Sequence, residues 1–210
     1  MKIDPADLDV IGNFDLQHNC VVPRPVFLVS TVSEVGVLNV APFSYFAPVN
    51  FYPPTLCFSV MRREGKKMDT LRNIEYSHDF VASIVDESLV QPMHQSAAAY
   101  PPDVSEFTEA GLTPRKSEKV KAPCVAESII NLECTVLDII EVGKMPYTAS
   151  LILGETILYH IKDEFFNNGT VALDKGRFIG VLGGDIHAAT YCCMGNVFRM
   201  TRATPALKGT

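Results

Sequence analysis

The chain has 210 residues, of which 47% are hydrophobic and 20% charged, and its formal net charge at pH 7 is −6. This length and composition indicate one globular domain and exclude a disordered protein. An acidic chain without a concentrated basic stretch is not expected to bind nucleic acid. No apolar run reaches the roughly 18 residues that span a bilayer. The acidic N-terminus lacks the apolar core of a signal peptide, so we expect no membrane contact and a cytoplasmic location.

The six cysteines show no C-x-x-C spacing, and a chain of this size does not need disulfide staples. We therefore interpret them as buried or half-buried thiols. Cysteine and histidine spacing also lacks the pairing of a zinc site, so no metal centre is predicted.

The first half of the chain favours strands. Asp4 and Pro5 are typical of a short helical start. Two β-rich runs, 23–32 and 37–46, flank a turn at 33–36 and predict a β-hairpin. Pro42 places its part of the second run at an edge, a bulge or a bend, because proline cannot donate to a sheet ladder.

Strand and helix signals then alternate. A strand is predicted at 55–62 after Pro53-Pro54, and Asp69 is expected to N-cap a helix over 70–76. Another strand follows at 80–86. From 87 to 111 the pattern is helical and broken by prolines, which predicts an excursion from the single domain rather than a second domain.

The second half returns to long β-rich runs at 131–142 and 148–161. Both faces of the second run are apolar, which predicts that both are covered. One face would fill a core, and the other would need a packed helix or a partner subunit. Short, closely spaced strands with few long helices predict a mainly β fold, an antiparallel barrel with short flanking helices.

Two segments have the chemistry of a ligand site. Residues 39–46 combine small residues, aromatic residues and a proline that can free backbone groups for a flat heterocycle; the alternative is an edge strand with a bend. Residues 66–73 place lysines beside a helix N-terminus, where unpaired N–H groups and the helix dipole attract an anion. The alternative for this segment is a solvated charged turn. Together the two segments suggest a ring pocket joined to a phosphate cradle.

With these segments in view, the chain resembles the flavin-reductase-like FMN-binding split barrels, a family that includes flavoredoxin-type proteins. The resemblance covers roughly residues 20–190 and rests on Pro23-Arg24-Pro25-Val26, Thr31, Asn39 to Ser44, Pro53-Pro54, Asp69-Thr70, Asn73-Ile74, Phe80-Val81, Glu127, Leu132-Glu133-Cys134 and Gly183-Gly184. The N-A-P-x-S motif followed by D-T-x-x-N-I is its most specific part.

The resemblance implies a single split-barrel domain over 1–210, a homodimer, and FMN near the subunit interface. The residues implied to bind the ring and ribityl chain are Asn39, Ala41, Pro42, Phe43 and Ser44. Those implied to bind the chain and phosphate are Ser59, Lys67, Asp69 and Thr70. Family members often have lysine directly before Asp-Thr, where this chain has Met68. His187 stands where many members have tyrosine, and we assign it as the candidate catalytic residue on the nicotinamide side.

The implied function is hydride transfer from NAD(P)H to FMN, with the flavin supplying the chemistry. The chain has no G-x-G-x-x-G motif, so NAD(P)H is expected to bind weakly and transiently. Reduced flavin would serve a partner oxygenase or another redox protein. The alternative is a flavoredoxin-type electron carrier without substantial NAD(P)H activity. A barrel that has lost flavin and serves only as an interaction module is a further alternative, which the intact 39–44 and 69–70 segments disfavour.

Overall fold

The computed structural model describes residues 1–62, 64–185, 187–198 and 200. The helices are α1 (Val10–Cys20), α2 (Asp69–Ser77), α3 (Val90–Ser96) and α4 (Glu106–Glu109). The strands are β1 (Arg24–Pro25), β2 (Phe27–Val32), β3 (Leu38–Phe43), β4 (Phe46–Phe51), β5 (Pro54–Met61), β6 (Asp79–Ile84), β7 (Pro114–Arg115), β8 (Cys124–Val125), β9 (Ile130–Val142), β10 (Ala149–Ile161), β11 (Phe166–Asn167), β12 (Thr170–Val171), β13 (Ile179–Gly184) and β14 (Ala189–Cys193). Single 3₁₀ turns lie at Pro5–Asp7, Glu87–Leu89 and Asp163–Phe165.

A seven-stranded antiparallel sheet in the order β3-β2-β6-β9-β10-β5-β4 dominates the structure. A second sheet has the order β1-β13-β14, and β1 passes directly into β2 of the large sheet. The prediction of a mainly β protein is confirmed at this level. The two outer strands β3 and β4 are consecutive in the chain, and Phe46 of β4 stacks on Phe27 of β2 with ring centroids 4.1 Å apart. The sheet is therefore strongly curled, and its description as a split barrel stays a prediction.

The hairpin of β2 and β3 follows from the sequence pattern. Its register pairs Val29 with Ala41, and the turn between the strands includes Gly36 at φ 87°. β3 is an outer strand of the sheet, which is where a strand containing Pro42 can sit without breaking a ladder on both sides.

The core has two main parts. The first surrounds Phe58, Phe80 and Ile152 and receives Leu71 and Ile74 from α2. Gly154 of β10 allows this packing, because a Cβ there would lie 2.5 Å from Phe80 Cζ. The second part lies under α3 and α4, and it joins both sheets to the helical segment.

Two details differ from expectation. The helix α2 begins at Asp69, so Met68 takes the N-cap position and the Asp69 carboxylate does not cap it. Cys20 is exposed, contrary to the prediction that all six thiols are buried or half-buried. The single chain buries one face of β10, that of Ser150, Ile152, Gly154 and Thr156, and leaves the other partly open, so its cover by a partner subunit stays a prediction. Among the described residues, none of the helices combines the length and apolarity that crossing a membrane requires.

Candidate functional site

A cleft of about 650 Å³ lies between β3, the start of α2 and the segment that links α3 to α4. Its volume is in the range typical of small-molecule sites. Six of the predicted cofactor residues line it: Asn39, Ala41, Pro42, Lys67, Asp69 and Thr70. The two segments singled out in the sequence therefore face one common space.

Three other predicted cofactor residues do not line this cleft. The ring of Phe43 is buried in the core, 5.2 Å from that of Phe58, because an apolar ring on this strand gains more from core packing than from the cleft edge. Ser44 lies in the short connection to β4. Ser59 is on β5, where its N–H donates to the carbonyl of Tyr45 at 3.0 Å. In the single chain, Ala41 and Pro42 form the wall of the cleft without Phe43.

His187 lies in an exposed turn between β13 and β14 and is not among the residues that line the cleft. The Asp185 carboxylate organises this turn by accepting hydrogen bonds from the N–H groups of His187 at 2.7 Å and Ala188 at 2.9 Å. The predicted catalytic role of His187 therefore has no support from proximity to the cleft within one chain.

The preceding Gly183-Gly184 pair could let backbone approach a ligand. The close approach is instead made by Asn19 of α1, since a Cβ on Gly183 would lie 2.1 Å from Asn19 Oδ1. The Asn19 amide donates to the Gly184 carbonyl at 2.9 Å and accepts from its N–H at 3.1 Å. The glycine pair thus accommodates the protein's own N-terminal helix.

The N-terminus of α2 forms one end of the cleft. The N–H groups of Leu71 and Arg72 both bond to the Met68 carbonyl, while those of Asp69 and Thr70, at the first positions of the helix, precede the intrahelical ladder. Free N–H groups and the positive end of the helix dipole favour an anion here.

Cationic side chains at this end are partly engaged. Lys66, Lys67 and Arg72 line the cleft, but Lys67 pairs with Glu75 and Arg72 with Asp69. Lys67 thus contacts a carboxylate on the outer side of α2, consistent with its displacement by Met68 from the usual family position. In the described part of the chain, Lys66 has no carboxylate within ion-pair distance.

Sequence reasoning missed the most buried carboxyl group of the cleft. Glu106, from the short helix α4, is only 7% exposed and accepts hydrogen bonds from Asn39 Nδ2 at 2.9 Å and from the Val40 N–H at 3.4 Å. Nothing in the sequence around Glu106 marks it, because its partners are 66 and 67 residues away along the chain.

Asn39 extends this contact into a buried network. Its Oδ1 accepts hydrogen bonds from the hydroxyls of Thr31 at 3.1 Å and Thr70 at 3.0 Å. Asn73 of α2 in turn donates to Thr31 at 3.0 Å. The hydroxyl of Thr70, one of the residues implied to bind the phosphate, therefore already donates to Asn39.

Burial raises the pKa of Glu106 above its ordinary value. Hydrogen bonds from its own backbone, Val40 and Asn39 act in the opposite direction, and the negative charge of Asp69 raises the pKa further. The ionised form of Glu106 is therefore less favourable beside the cleft than it would be in water.

A second cluster of titratable groups lies away from the cleft. Cys124, Glu133 and His160 have potential metal-ligand atoms within 4.8 Å of one another. Glu133 is fully buried and accepts hydrogen bonds from the N–H groups of Glu118 at 2.8 Å and Lys119 at 2.7 Å, and it bonds to His160 at 2.6 Å. Burial opposes ionisation, but these bonds keep the pKa of Glu133 below its usual value. Glu133 is thus fully engaged with groups of the protein, as is typical of a carboxylate that stabilises the fold.

These features define a mainly β protein whose cleft has a small-residue wall at one side and a helix N-terminus with cations at the other. That arrangement suits a flat ligand with a phosphate. The chain belongs to the flavin reductase like domain family, whose profile matches residues 19–178.

Similar proteins agree with this assignment. An uncharacterised protein of Aquifex aeolicus is 39% identical over 180 residues, which cover 85% of this chain and 90% of its own length. Nitrilotriacetate monooxygenase component B from Bacillus cereus is 33% identical in a superposition with a TM-score of 0.90 that covers 95% of this chain and 98% of that one. The 2-nitrobenzoate 2-nitroreductase of Pseudomonas fluorescens is 26% identical, with a TM-score of 0.87 and 98% of both chains covered.

The buried carboxyl of Glu106 predicts a specific pH dependence of stability. Because its pKa is raised in the folded state, its contribution to stability is fully present below the ordinary pKa of about 4.3 and is lost as the pH rises through the folded-state pKa. Glu106→Gln removes this dependence. We expect the free energy of unfolding of the wild type, relative to Glu106→Gln, to fall as the pH increases from about 4 to about 8.

Urea denaturation at a series of pH values measures this difference. Glu109→Gln, on the exposed side of the same helix, is the matched control and should leave the wild-type pH dependence in place. Parallel pH profiles for wild type and Glu106→Gln would contradict the assignment.

Proposed function

We propose that the cleft binds FMN and that the protein transfers hydride from NAD(P)H to this flavin. The observation that carries the proposal is the single space shared by the Ala41–Pro42 wall and the N-terminus of α2. A flavin with a phosphate needs both features in one cleft. The cytoplasmic location expected from the sequence is part of the proposal.

The residues present fit such a cofactor. Ala41 is small enough to leave room for a ring against β3, and Pro42 has no N–H to bury unpaired. The N–H groups of Asp69 and Thr70, together with Lys66, can bind a phosphate. A flavin bound there supplies the hydride-accepting chemistry, so the chain need not provide a strong acid or base. The protein's part is to hold the ring, orient it and leave one face open to a transient nicotinamide.

The comparisons support a redox role of this kind. The family is that of flavin reductases, and the Bacillus cereus relative is by name one component of a monooxygenase. We therefore propose that the reduced flavin produced here serves a partner oxygenase or another redox protein. The alternative is an electron carrier that uses the same cleft but is reduced by another protein.

Anaerobic stopped-flow mixing with NADH and NADPH tests the proposed activity. After FMN has been added to the purified protein, we expect at least one nicotinamide to bleach the visible absorbance of the flavin faster than it bleaches free FMN. If neither nicotinamide accelerates bleaching but dithionite reduces the bound flavin, the electron carrier is correct. Protein that binds no flavin would exclude both functions.

Ala41→Leu tests the ring wall. Its added volume would occupy the space of the ring, so we expect a folded protein that binds little FMN. Ala47→Leu, at an exposed position of β4, is the matched control and should bind FMN like the wild type. Circular dichroism separates loss of the ligand from unfolding, since overpacking costs typically about 1–3 kcal/mol. Full flavin occupancy in folded Ala41→Leu would place the ring elsewhere.

A homodimer is the third part of the proposal. Large apolar side chains remain exposed on β9, on β10 and on the connection between them: Leu137, Ile140, Val142, Met145, Tyr147 and Tyr159. Ile140 lies directly opposite Leu151 of β10, on the face that the single chain leaves partly open. An apolar patch of this extent favours burial against a second copy.

Light scattering should therefore show a dimer at micromolar concentration. Ile140→Lys should shift it towards the monomer, because a buried lysine without a partner is costly. Leu173→Lys, at a comparably exposed leucine outside β9 and β10, should not. A wild-type monomer would remove this part of the proposal.

A further inference from the structure

Hydrogen-bond chemistry fixes the orientation of the Asn39 amide. An ionised carboxylate only accepts hydrogen bonds, so Glu106 requires the NH₂ group of Asn39 to face it. Asn39 Oδ1 then faces away and accepts the hydroxyl hydrogens of Thr31 and Thr70. With its only hydrogen engaged in this way, the Thr70 hydroxyl can offer the cleft lone pairs but no donor.

We propose that Glu106 is a positioning residue that determines whether the cleft discriminates in favour of a phosphorylated flavin. It acts through Asn39 on Thr70: ionised Glu106 keeps the Thr70 hydroxyl turned towards Asn39, and neutral Glu106 releases it to donate to an anion in the cleft. The inference rests on the proposed binding of FMN and concerns the selectivity of that same site.

In the neutral state, the hydrogen bonds that link Glu106, Asn39 and Thr70 re-form in the opposite direction, while the Thr31 hydroxyl loses Asn39 Oδ1 as its acceptor. The proton taken up from solvent sits on the Glu106 oxygen that faces Asn39, while the other oxygen still accepts from the Val40 N–H. The Asn39 amide turns over, so that its Oδ1 accepts from Glu106 and its NH₂ donates to Thr70 Oγ1. The hydrogen of the Thr70 hydroxyl is then free to point at a ligand, and Thr70 already lines the cleft.

The charges around Glu106 favour this coupling. Asp69 and its partner Arg72 face it from α2, and the cleft wall also carries Glu64, Lys66, Lys67 and Tyr100. Burial and the charge of Asp69 both raise the pKa of Glu106, so this carboxyl takes up a proton at a higher pH than an exposed glutamate does. A phosphate placed at the N-terminus of α2 adds negative charge on the same side, so its binding should promote uptake of this proton.

Glu106→Gln reproduces the neutral state bond for bond. The side-chain amide that this substitution introduces can donate to Asn39 Oδ1 from the position of one carboxylate oxygen and accept the Val40 N–H at the other. Thr70→Val removes the hydroxyl while keeping the shape of the side chain. The proposed relay is the chain of hydrogen bonds from Glu106 through Asn39 to Thr70. The two variants change its two ends separately.

The experiment measures dissociation constants of FMN and riboflavin by flavin fluorescence, and the selectivity is their ratio. We expect Glu106→Gln to raise the selectivity about tenfold over the wild type at about pH 8, the size of one charge-assisted hydrogen bond. The effect should be smaller at about pH 5, because the raised pKa of Glu106 lets the wild type take up the proton as the pH falls. Ionisation of the FMN phosphate itself affects both proteins equally and cancels in the comparison. Glu109→Gln should behave as the wild type at both pH values.

The double variant decides the mechanism. In the Thr70→Val background, Glu106→Gln should no longer raise the selectivity, because the hydroxyl through which it acts is absent. If the full increase persists there, Glu106 acts only through its charge and the relay is wrong. Equal selectivity of wild type and Glu106→Gln at both pH values would also overturn it.

Thr70→Val keeps the inference testable even if Glu106→Gln fails to fold. It should lower the selectivity of the wild type more at about pH 5 than at about pH 8, and an equal loss at both would contradict the coupling of Glu106 to Thr70. Failure of the wild type to bind either flavin is a different result, since it would remove the proposed function itself.

Discussion

A carboxyl group taken almost completely out of water must be given hydrogen-bond donors, and the geometry of the cleft depends on how this protein meets that requirement. The donors for Glu106 come from Asn39 and the backbone of Val40, so α4 is fixed to β3. Asn39 then engages Thr31 of β2 and Thr70 of α2. Four separate elements thereby meet around one amide, and the removal of Glu106 or Asn39 would leave a buried polar group unpaired.

This network explains how two segments that are far apart in sequence share a cleft. The outer position of β3 leaves one side of the strand free of a neighbour in the sheet, and α2 packs its Leu71 and Ile74 into the core beside it. The hydrophobic core and the polar network together determine where the helix lies and which face it turns towards β3. The N–H groups of its first turn therefore face the same space as Ala41.

Much of this arrangement could be predicted from the sequence. The β2–β3 hairpin follows from two apolar runs around a turn, and the position of α2 from a short amphipathic pattern, because both signals are local. The pairing of 39–42 with 67–70 follows from the chemistry that a phosphorylated ring needs. The direction of the Thr70 hydroxyl was not predictable, since its acceptor is 31 residues away.

Other residues show where local reasoning fails. The sequence pattern assigns Phe43 to a ring wall, but its ring packs on Phe58 in the same core cluster that includes Ala41. Ala41 and Phe43 share one face of β3, and only the assembled sheet shows where along this face the cleft ends and the core begins. In the sequence, Glu106 resembles an ordinary solvent-facing acid in a proline-broken segment. Glu106 is buried because α3 and α4 fold back over β3. This packing joins distant parts of the chain, so no local sequence pattern indicates it.

The contact of Asn19 with Gly184 has a consequence for how the chain closes on itself. A single side-chain amide joins the end of the first helix to a strand 165 residues later, through both its donor and its acceptor. The entropy of closing so long a loop must be met before this contact forms, which places it late in folding. We therefore expect the N-terminal helix to dock on β13 only after β1 and β13 have paired.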